Sequence, residues 1–345
     1  MQKINWTGNS HEAWLAQRRS VEGFGDVNNA RFGASDVGTI TGTNSYKCPN
    51  RLFLHTIGKH SSDWITETSV AGHLAEPIIA TVWESWEQEK ETALRNIQNG
   101  IKLRKTKKAD FFLLNDAYPQ LFASIDRLHD GDTFSPFTGN KYAELTPIEF
   151  KTTKSTYYKL WEDGITPSYY DQVQAQMMLS GTEVAVFCVW VDGAHFYVRE
   201  VEYDKQRAEF IDHKTREFQQ ICIAGKQIMD IIKSPESHEQ FDEYTAMLDE
   251  ISPEPTMLED EQVLSRELFP ESNGLVQGDE KDFQFLLDYN QAHESIKLLE
   301  ESKQLAKNNI LSLMKDAEIL EFNEGRVTWR RADGKRDYFQ IKVSK

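Results

Sequence analysis

Ser124-Ile125-Asp126-Arg127, followed at a distance by Tyr142-Ala143-Glu144-Leu145-Thr146-Pro147-Ile148-Glu149-Phe150-Lys151, is the stretch whose reading decides the fold. The first part follows an apolar run, Leu121-Phe122-Ala123. The second follows a turn-rich segment containing Gly131, Pro136 and Gly139. Side chains alternate across a strand, so Glu149 and Lys151 are expected on one face and Ile148 and Phe150 on the other, in the core. An acid from one strand of a hairpin, with an acid and a lysine two apart on the other, converges on one point. Hard carboxylate oxygens there suit a divalent cation, and an ammonium beside them offsets developing negative charge. Phosphodiester hydrolysis uses that combination. Taken alone, Glu-x-Lys on a strand is more often a solvated face or a cross-strand ion pair, so the rest of the chain has to carry the assignment.

The 345 residues are 39% hydrophobic and 27% charged, ample for a sizeable core. No apolar run approaches the ~20 residues of a membrane span, and the first residues lack a signal-type apolar segment. Cys48, Cys188 and Cys222 are scattered singly, without metal-ligand or disulfide spacing. A reducing, cytoplasmic setting is therefore expected, with no membrane partner. The net charge of −16 looks wrong for a nucleic-acid protein. Between Pro235 and Ser302, however, 19 acidic residues face 3 basic ones, which accounts for the whole imbalance. The remainder is near neutral and keeps local basic patches.

Taken in order, a helix is expected around Trp14–Arg19 after a His11-Glu12 cap region. Ser35 or Asp36 is expected to cap a short helix beside Arg31. Thr66–Glu87 reads as a long helix with Val70, Leu74, Ile78 and Val82 at helical spacing. Pro77 within it is expected to kink or restart the helix and re-aim Glu76, whose apolar surroundings ask for a partner. Lys102, Arg104, Lys105, Lys107 and Lys108 form either a solvated strand or a phosphate-contacting edge. Tyr169–Met178 reads as a helix with Gln172 and Gln176 on one face, placed to hold a water or a phosphate oxygen. Val184–Val191 and Val198–Tyr203 read as paired strands, followed by a long helix, Arg207–Ile232. The order is mixed α/β. Three parts are expected: an α/β domain over 1–234, an acidic linker or loosely packed segment over 235–281, and an appendage over 282–345. The appendage pairs a helix carrying a heptad seam from Phe285 to Leu313, broken at Lys303, with a β-hairpin.

Trp14 with Arg18, Gly33-Ala34-Ser35-Asp36-Val37, Gly72 with Glu76-Pro77, Ser124 with Asp126, Glu149-Phe150-Lys151 and Gln172-Val173-Gln174 occur together in this order. In that order the chain resembles the lambda-exonuclease-like, or YqaJ-type viral recombinase, branch of the PD-(D/E)XK nucleases, over roughly Trp14–Phe218. Two departures stand out: Ile125-Asp126-Arg127 replaces the usual Pro-Asp-Gly, and the gap to Glu149 is long, which implies an enlarged tip from Asp130 to Lys141 that touches DNA or another subunit. The resemblance implies a restriction-endonuclease-like core, a mixed central sheet flanked by helices. It implies Mg2+, replaceable by Mn2+, held by Asp126, Glu149 and the Phe150 backbone carbonyl, with Glu76 completing the acidic cluster. Lys151 would position the attacking water and Gln172 would orient Lys151 or a phosphate oxygen. Arg18, Ser35 and Ser124 would grip a phosphate. The implied activity is a DNA exonuclease running 5′ to 3′ on double-stranded ends, oligomeric, handing single strands to an annealing protein. An endonuclease or defence nuclease on the same fold, or a non-catalytic DNA-binding scaffold, are the rival readings.

Overall fold

A computed structural model describes residues 1–8, 10–60, 66–154, 164–271, 277–332 and 335–343. The chain divides into two compact units, Met1–Pro270 and Glu271–Lys345.

The first unit carries two sheets. A five-stranded sheet runs in the order β3 (Thr106–Lys108), β6 (Arg127–His129), β7 (Ile148–Thr153), β8 (Val184–Val191), β9 (His195–Glu202). Its central pair, β7 and β8, is parallel, and the outer pairings are antiparallel, so the sheet is mixed. β8 reads Val-Ala-Val-Phe-Cys-Val-Trp-Val, the near-continuous apolar run expected of a strand covered on both faces. The second sheet orders β1 (Gln2–Asn5), β4 (Phe111–Leu114), β5 (Leu121–Ser124) and β2 (Phe32–Gly33). Asp126 therefore does not sit within a strand of a simple hairpin. It lies in the break where the chain leaves β5 for one sheet and enters β6 in the other.

The helix α6 (Pro167–Ser180) packs on β4, β5 and β8 and ties the two sheets together. Its boundaries follow local chemistry. Pro167 stands at the first helical position, where a missing N–H costs nothing, and Gly181 ends the helix at φ 66°. All ten residues from Asp171 to Ser180 are buried, including three glutamines. Gln174 is bound to the end of β9, donating to the Glu202 carbonyl at 2.8 Å and accepting from the Asp204 amide at 2.9 Å. Asp171 accepts from Thr41 at 2.6 Å, Thr43 at 2.8 Å and both arms of Arg207 at 2.6 Å. It thereby fixes α6 to the loop after α2 (Val37–Ile40) and to α7 (Lys205–Ile232).

Helix α1 (His11–Val21) begins earlier than expected, because Ser10 accepts from the Ala13 amide and caps it. At the Ala34–Asp36 turn neither Ser35 nor Asp36 caps: the Asp36 carboxylate is bound by Arg18 at 3.1 Å and Lys47 at 3.2 Å instead. Helix α4 (Glu67–Ser85) runs without interruption through Pro77. It buries Ala75, Ile79, Val82 and Trp83, and the expected core stripe Val70, Leu74, Ile78 faces outward, with Leu74 72% exposed. The 130–141 tip folds back onto the end of α4: Phe137 packs on Trp86 at 5.2 Å, and Gln88 donates to the Pro136 carbonyl.

The acidic segment is helical, and this corrects the expectation of a linker. Helices α8 (His238–Ile251) and α9 (Glu259–Leu268) bury Leu248 and Leu264 in the same core as α3 (Pro49–Thr56) and α7. The buried Arg51 guanidinium pairs with Asp260 at 2.8 Å and Glu267 at 2.6 Å, and Asp260 also accepts the Cys48 amide at 2.9 Å. Two of the acids that looked like solvated charge are thus the partners that a buried arginine requires. In the second unit, α10 (Glu280–Met314) precedes a three-stranded antiparallel sheet of β10 (Ile319–Phe322), β11 (Gly325–Ala332) and β12 (Lys335–Val343). The Asn323-Glu324-Gly325 turn lies where expected; Asp333-Gly334 falls outside the described residues.

His129 stacks on Tyr142 at 4.3 Å beneath Trp83, and neither ring nitrogen has a hydrogen-bond partner among the described residues. Burial, then the nearby Arg104 cation, lowers its pKa to about 4. A base with a depressed folded pKa stabilises the fold fully above its unfolded value near 6.5, and that contribution is lost as pH falls from there towards 4. Denaturant titrations at pH 7 and pH 4.5 should therefore differ less for His129→Phe than for the wild type, by about 2–3 kcal/mol. Equal pH dependence of the two proteins would show that His129 titrates normally.

Candidate functional site

Strand β7 puts Glu149 and Lys151 on the same face, as period 2 demands, while Ile148 and Phe150 enter a core cluster with Trp83 and Val186. Parallel pairing with β8 sets Glu149 opposite Phe187 and Lys151 opposite Val189, so apolar walls surround both polar side chains. Glu149 is 2% exposed. A buried carboxylate needs donors, and α6 supplies two. Gln172 donates to Oε1 at 2.6 Å and Gln176 to Oε2 at 2.7 Å. The spacing i, i+4 places both amides on one helix face. The Lys151 ammonium also reaches Oε1 and lies 5.0 Å over the Tyr169 ring.

Asp126 meets this group from the β5–β6 break. Its Oδ2 accepts the Phe150 amide at 2.7 Å, which locks the break to the middle of β7. Burial, followed by the charge of Glu149, pushes the Asp126 carboxyl well above the usual carboxylate range; Lys151 opposes this and Glu76 adds to it. Burial works against the Lys151 cation, yet Glu149 and Asp126 outweigh it and hold the ammonium more firmly protonated than a free lysine.

A cavity of about 850 Å³ opens beside Asp126. Arg18, Ser124 and Glu76 line it together with Asp126. Glu149, Phe150, Lys151 and Gln172 are not among the lining residues, and neither is Ser35, which is exposed on the Ala34–Asp36 turn. Arg18 lies 5.6 Å from the Trp14 ring and 5.4 Å from Phe122, and is paired with Glu22 at 2.7 Å and with Asp36. Glu76 Oε1 accepts from His73 Nδ1 at 2.9 Å. Of the five basic residues after Ile101, Arg104 is buried under the Trp83 and Trp86 carbonyls and Lys102 pairs with Glu84 at 2.6 Å. Lys105, Lys107 and Lys108 are exposed, and Lys108 reaches the cavity. Gln176, expected with Gln172 to hold a water or a phosphate oxygen, is bound to Glu149 instead. Tyr169 was not expected at the site, and nothing in sequence points to it.

Among the described residues no three His, Cys, Asp or Glu side chains already converge as a metal-ligand set. Asp126 is half-buried beside the buried Glu149, and Glu76 lines the same cavity as Asp126, but the expected three-acid cluster is not assembled among the described residues. Even so the donor chemistry fits a hard divalent cation. Two carboxylates brought out of water beside each other are the arrangement that a cation relieves, and their oxygens are the ligands that Mg2+ prefers.

A mixed sheet that delivers an acid from one strand junction and Glu-x-Lys from the next strand, with a helical glutamine behind, defines the PD-(D/E)XK class of α/β fold. The family model of the YqaJ-like viral recombinase domain matches residues 13–183. The uncharacterized protein YqaJ of Bacillus subtilis (strain 168) is 30% identical over 222 residues, covering 63% of this chain; the chain spans 58% of that protein's length. An alkaline exonuclease from Laribacter hongkongensis is similar with a TM-score of 0.43 and 15% identity, over 66% of this chain and 100% of that one. A phage-related exonuclease from Haemophilus somnus 129PT is similar with a TM-score of 0.37 and 10% identity, over 59% and 96%.

If the glutamines fix the Glu149 carboxylate for a cation, Gln176→Leu should weaken Mn2+ binding by about tenfold in calorimetric titration of the folded protein, besides lowering its stability. Unaltered affinity in that variant would reduce Gln176 to a packing residue.

Proposed function

We propose that the protein is a divalent-metal-dependent DNA exonuclease that degrades one strand of double-stranded ends in the 5′ to 3′ direction and leaves single strands for annealing-type recombination. The observation that carries the reading is the half-buried Lys151 ammonium held against Glu149, with Asp126 hydrogen-bonded to the intervening Phe150 amide. Kinship with the YqaJ-like viral recombinase domain supports DNA as substrate and recombination as context.

Asp126, Glu149 and the Phe150 carbonyl would hold Mg2+, with Mn2+ as a substitute, and Glu76 would face the same ion through its waters. When bound, the ion polarises a phosphoryl oxygen and eases deprotonation of water. The chain's own residues do the rest. Lys151, its ammonium favoured by the two carboxylates, orients the attacking water and offsets charge on the phosphoryl oxygens as the water oxygen bonds to phosphorus and the ester bond breaks. Gln172 and Gln176 keep Glu149 from rotating away. In the cavity, Arg18 and Ser124 offer donors to a phosphate, and Trp6 and Trp14 offer aromatic faces to bases, a pairing of charge and stacking suited to a strand end. The assignment extends to an annealing protein as the recipient of the single strand.

Linear duplex labelled at either end and closed circular duplex, each with Mg2+ and then with chelator, test this directly. Expected are early release of the 5′ label as mononucleotides, late release of the 3′ label, intact circles and no cleavage with chelator. Nicked circles would make the protein an endonuclease, and binding without cleavage would make it a scaffold. Lys151→Ala is expected to lower kcat by about 10²–10³ while DNA affinity, measured in Ca2+, stays within a few-fold, because the ammonium acts mainly in the transition state. Normal turnover would remove Lys151 from the chemistry.

A further inference from the structure

The helix α10 of the second unit is 35 residues long, about 52 Å, and leaves most of its apolar side chains in solvent. Phe285 is 62%, Tyr289 70%, Ile296 56% and Leu299 69% exposed. The unit's own sheet covers only its C-terminal end, where Ile310 and Leu311 are half-buried and Met314 is buried. A capping box at Asp279 and Asp282 starts the helix firmly, so its exposed length is a built element and not a frayed tail. Exposed apolar surface on this scale marks an interaction face.

We infer that α10 pairs with α10 of a second copy of this chain in an antiparallel, two-fold symmetric coiled coil centred between Lys297 and Leu298. The seam repeats every seven residues with Tyr289, Ile296, Lys303 and Ile310 at one core position and Phe285, Ala292, Leu299 and Ala306 at the other. In the antiparallel register the two positions face each other across the axis. Tyr289 then meets Ala306 of the second copy, Lys303 meets Ala292, Ile296 meets Leu299, and Phe285 meets Ile310. Both bulky or charged residues fall opposite an alanine. The small methyl leaves the lysine stem room to lie along the seam with its ammonium in water. The flanks place His293 beside Glu300 of the second copy, twice by symmetry.

A parallel pair would do the reverse. It would set Lys303 against Lys303, Tyr289 against Tyr289 and each alanine against itself, combining like-charge repulsion, crowding and holes. The antiparallel pairing also uses the whole exposed length: Phe285 to Ile310 spans about 38 Å. Eight seam side chains from each copy, at roughly 80 Å² apiece, bury about 1,300 Å², above the ~1,000 Å² that a specific interface requires. This inference does not rest on the nuclease reading and can fail or hold independently of it.

Sedimentation equilibrium of the full chain and of Ile296→Asp/Leu299→Asp, at micromolar concentration, is the first test. The wild type is expected to have twice the mass of the variant, whatever contacts the first unit adds. Equal masses would overturn the pairing and leave the seam to this chain or another protein. Register is read from single-cysteine variants in the otherwise wild-type chain, so it does not depend on the aspartate variant folding. Ser295 lies beside Ser302 of the second copy in the antiparallel register. A mixture of Ser295→Cys and Ser302→Cys should oxidise to the mixed disulfide in preference to either homodimer; the native cysteines are buried and do not compete. Oxidation mainly to Ser295→Cys homodimers, or no cross-link at all, would overturn the antiparallel arrangement.

Discussion

Glu149 is a carboxylate almost wholly removed from water, and the first unit is assembled around the need to satisfy it. Left alone in an apolar interior it would cost several kcal/mol. Two helical amides and an ammonium make the cost bearable, while the neighbouring Asp126 adds to it, so β7 and α6 must both be in place. Folding and site assembly are therefore one event here. A strand register slip of one residue would turn Glu149 into the Trp83–Val186 cluster and Phe150 onto the polar face, which no arrangement of α6 can accommodate.

The same logic explains how α6 can be buried along its last ten residues while carrying an aspartate and three glutamines. Each polar group has a fixed partner from a different element: Asp171 from the Thr41–Thr43 loop and α7, Gln174 from β9, Gln172 and Gln176 from β7. A polar network anchored to several elements orients a helix more tightly than apolar contacts, which tolerate sliding, even though the Gln176 Oε1 has no partner among the described residues. That rigidity is what a site needs if two oxygens are to be held for an ion.

How much of this was legible in sequence depended on whether a signal was local. The Glu-x-Lys strand, the Val184–Val191 strand and the helix after Tyr169 could be read because period and composition lie within ten residues. The seven-residue seam of α10 was legible for the same reason. The acidic segment misled because its charge was counted along the chain, whereas Asp260 and Glu267 are cancelled by Arg51, more than 200 residues away. Val70, Leu74 and Ile78 misled for the converse reason. Helical spacing shows that an apolar stripe exists but not which way it faces, and in α4 the buried side belongs to the stripe of Ala75, Ile79 and Val82. Ser35 was carried by motif position alone, and the turn that holds it aims Asp36, not the serine, toward Arg18.

The two ends of Arg18 show what the cleft demands of its basic residues. Its guanidinium already has two carboxylate partners, Glu22 and Asp36, and two aromatic faces. Lys47 shares Asp36, and Lys226 is spent on the Gly23, Asp26 and Asn29 carbonyls. These cations are thus held in place on folding, so an anion entering the cavity would meet donors whose side-chain entropy has already been lost. The cost is that a phosphate at Arg18 must share the guanidinium with Glu22 and Asp36. Phosphate binding there would therefore be modest in strength but sharp in geometry.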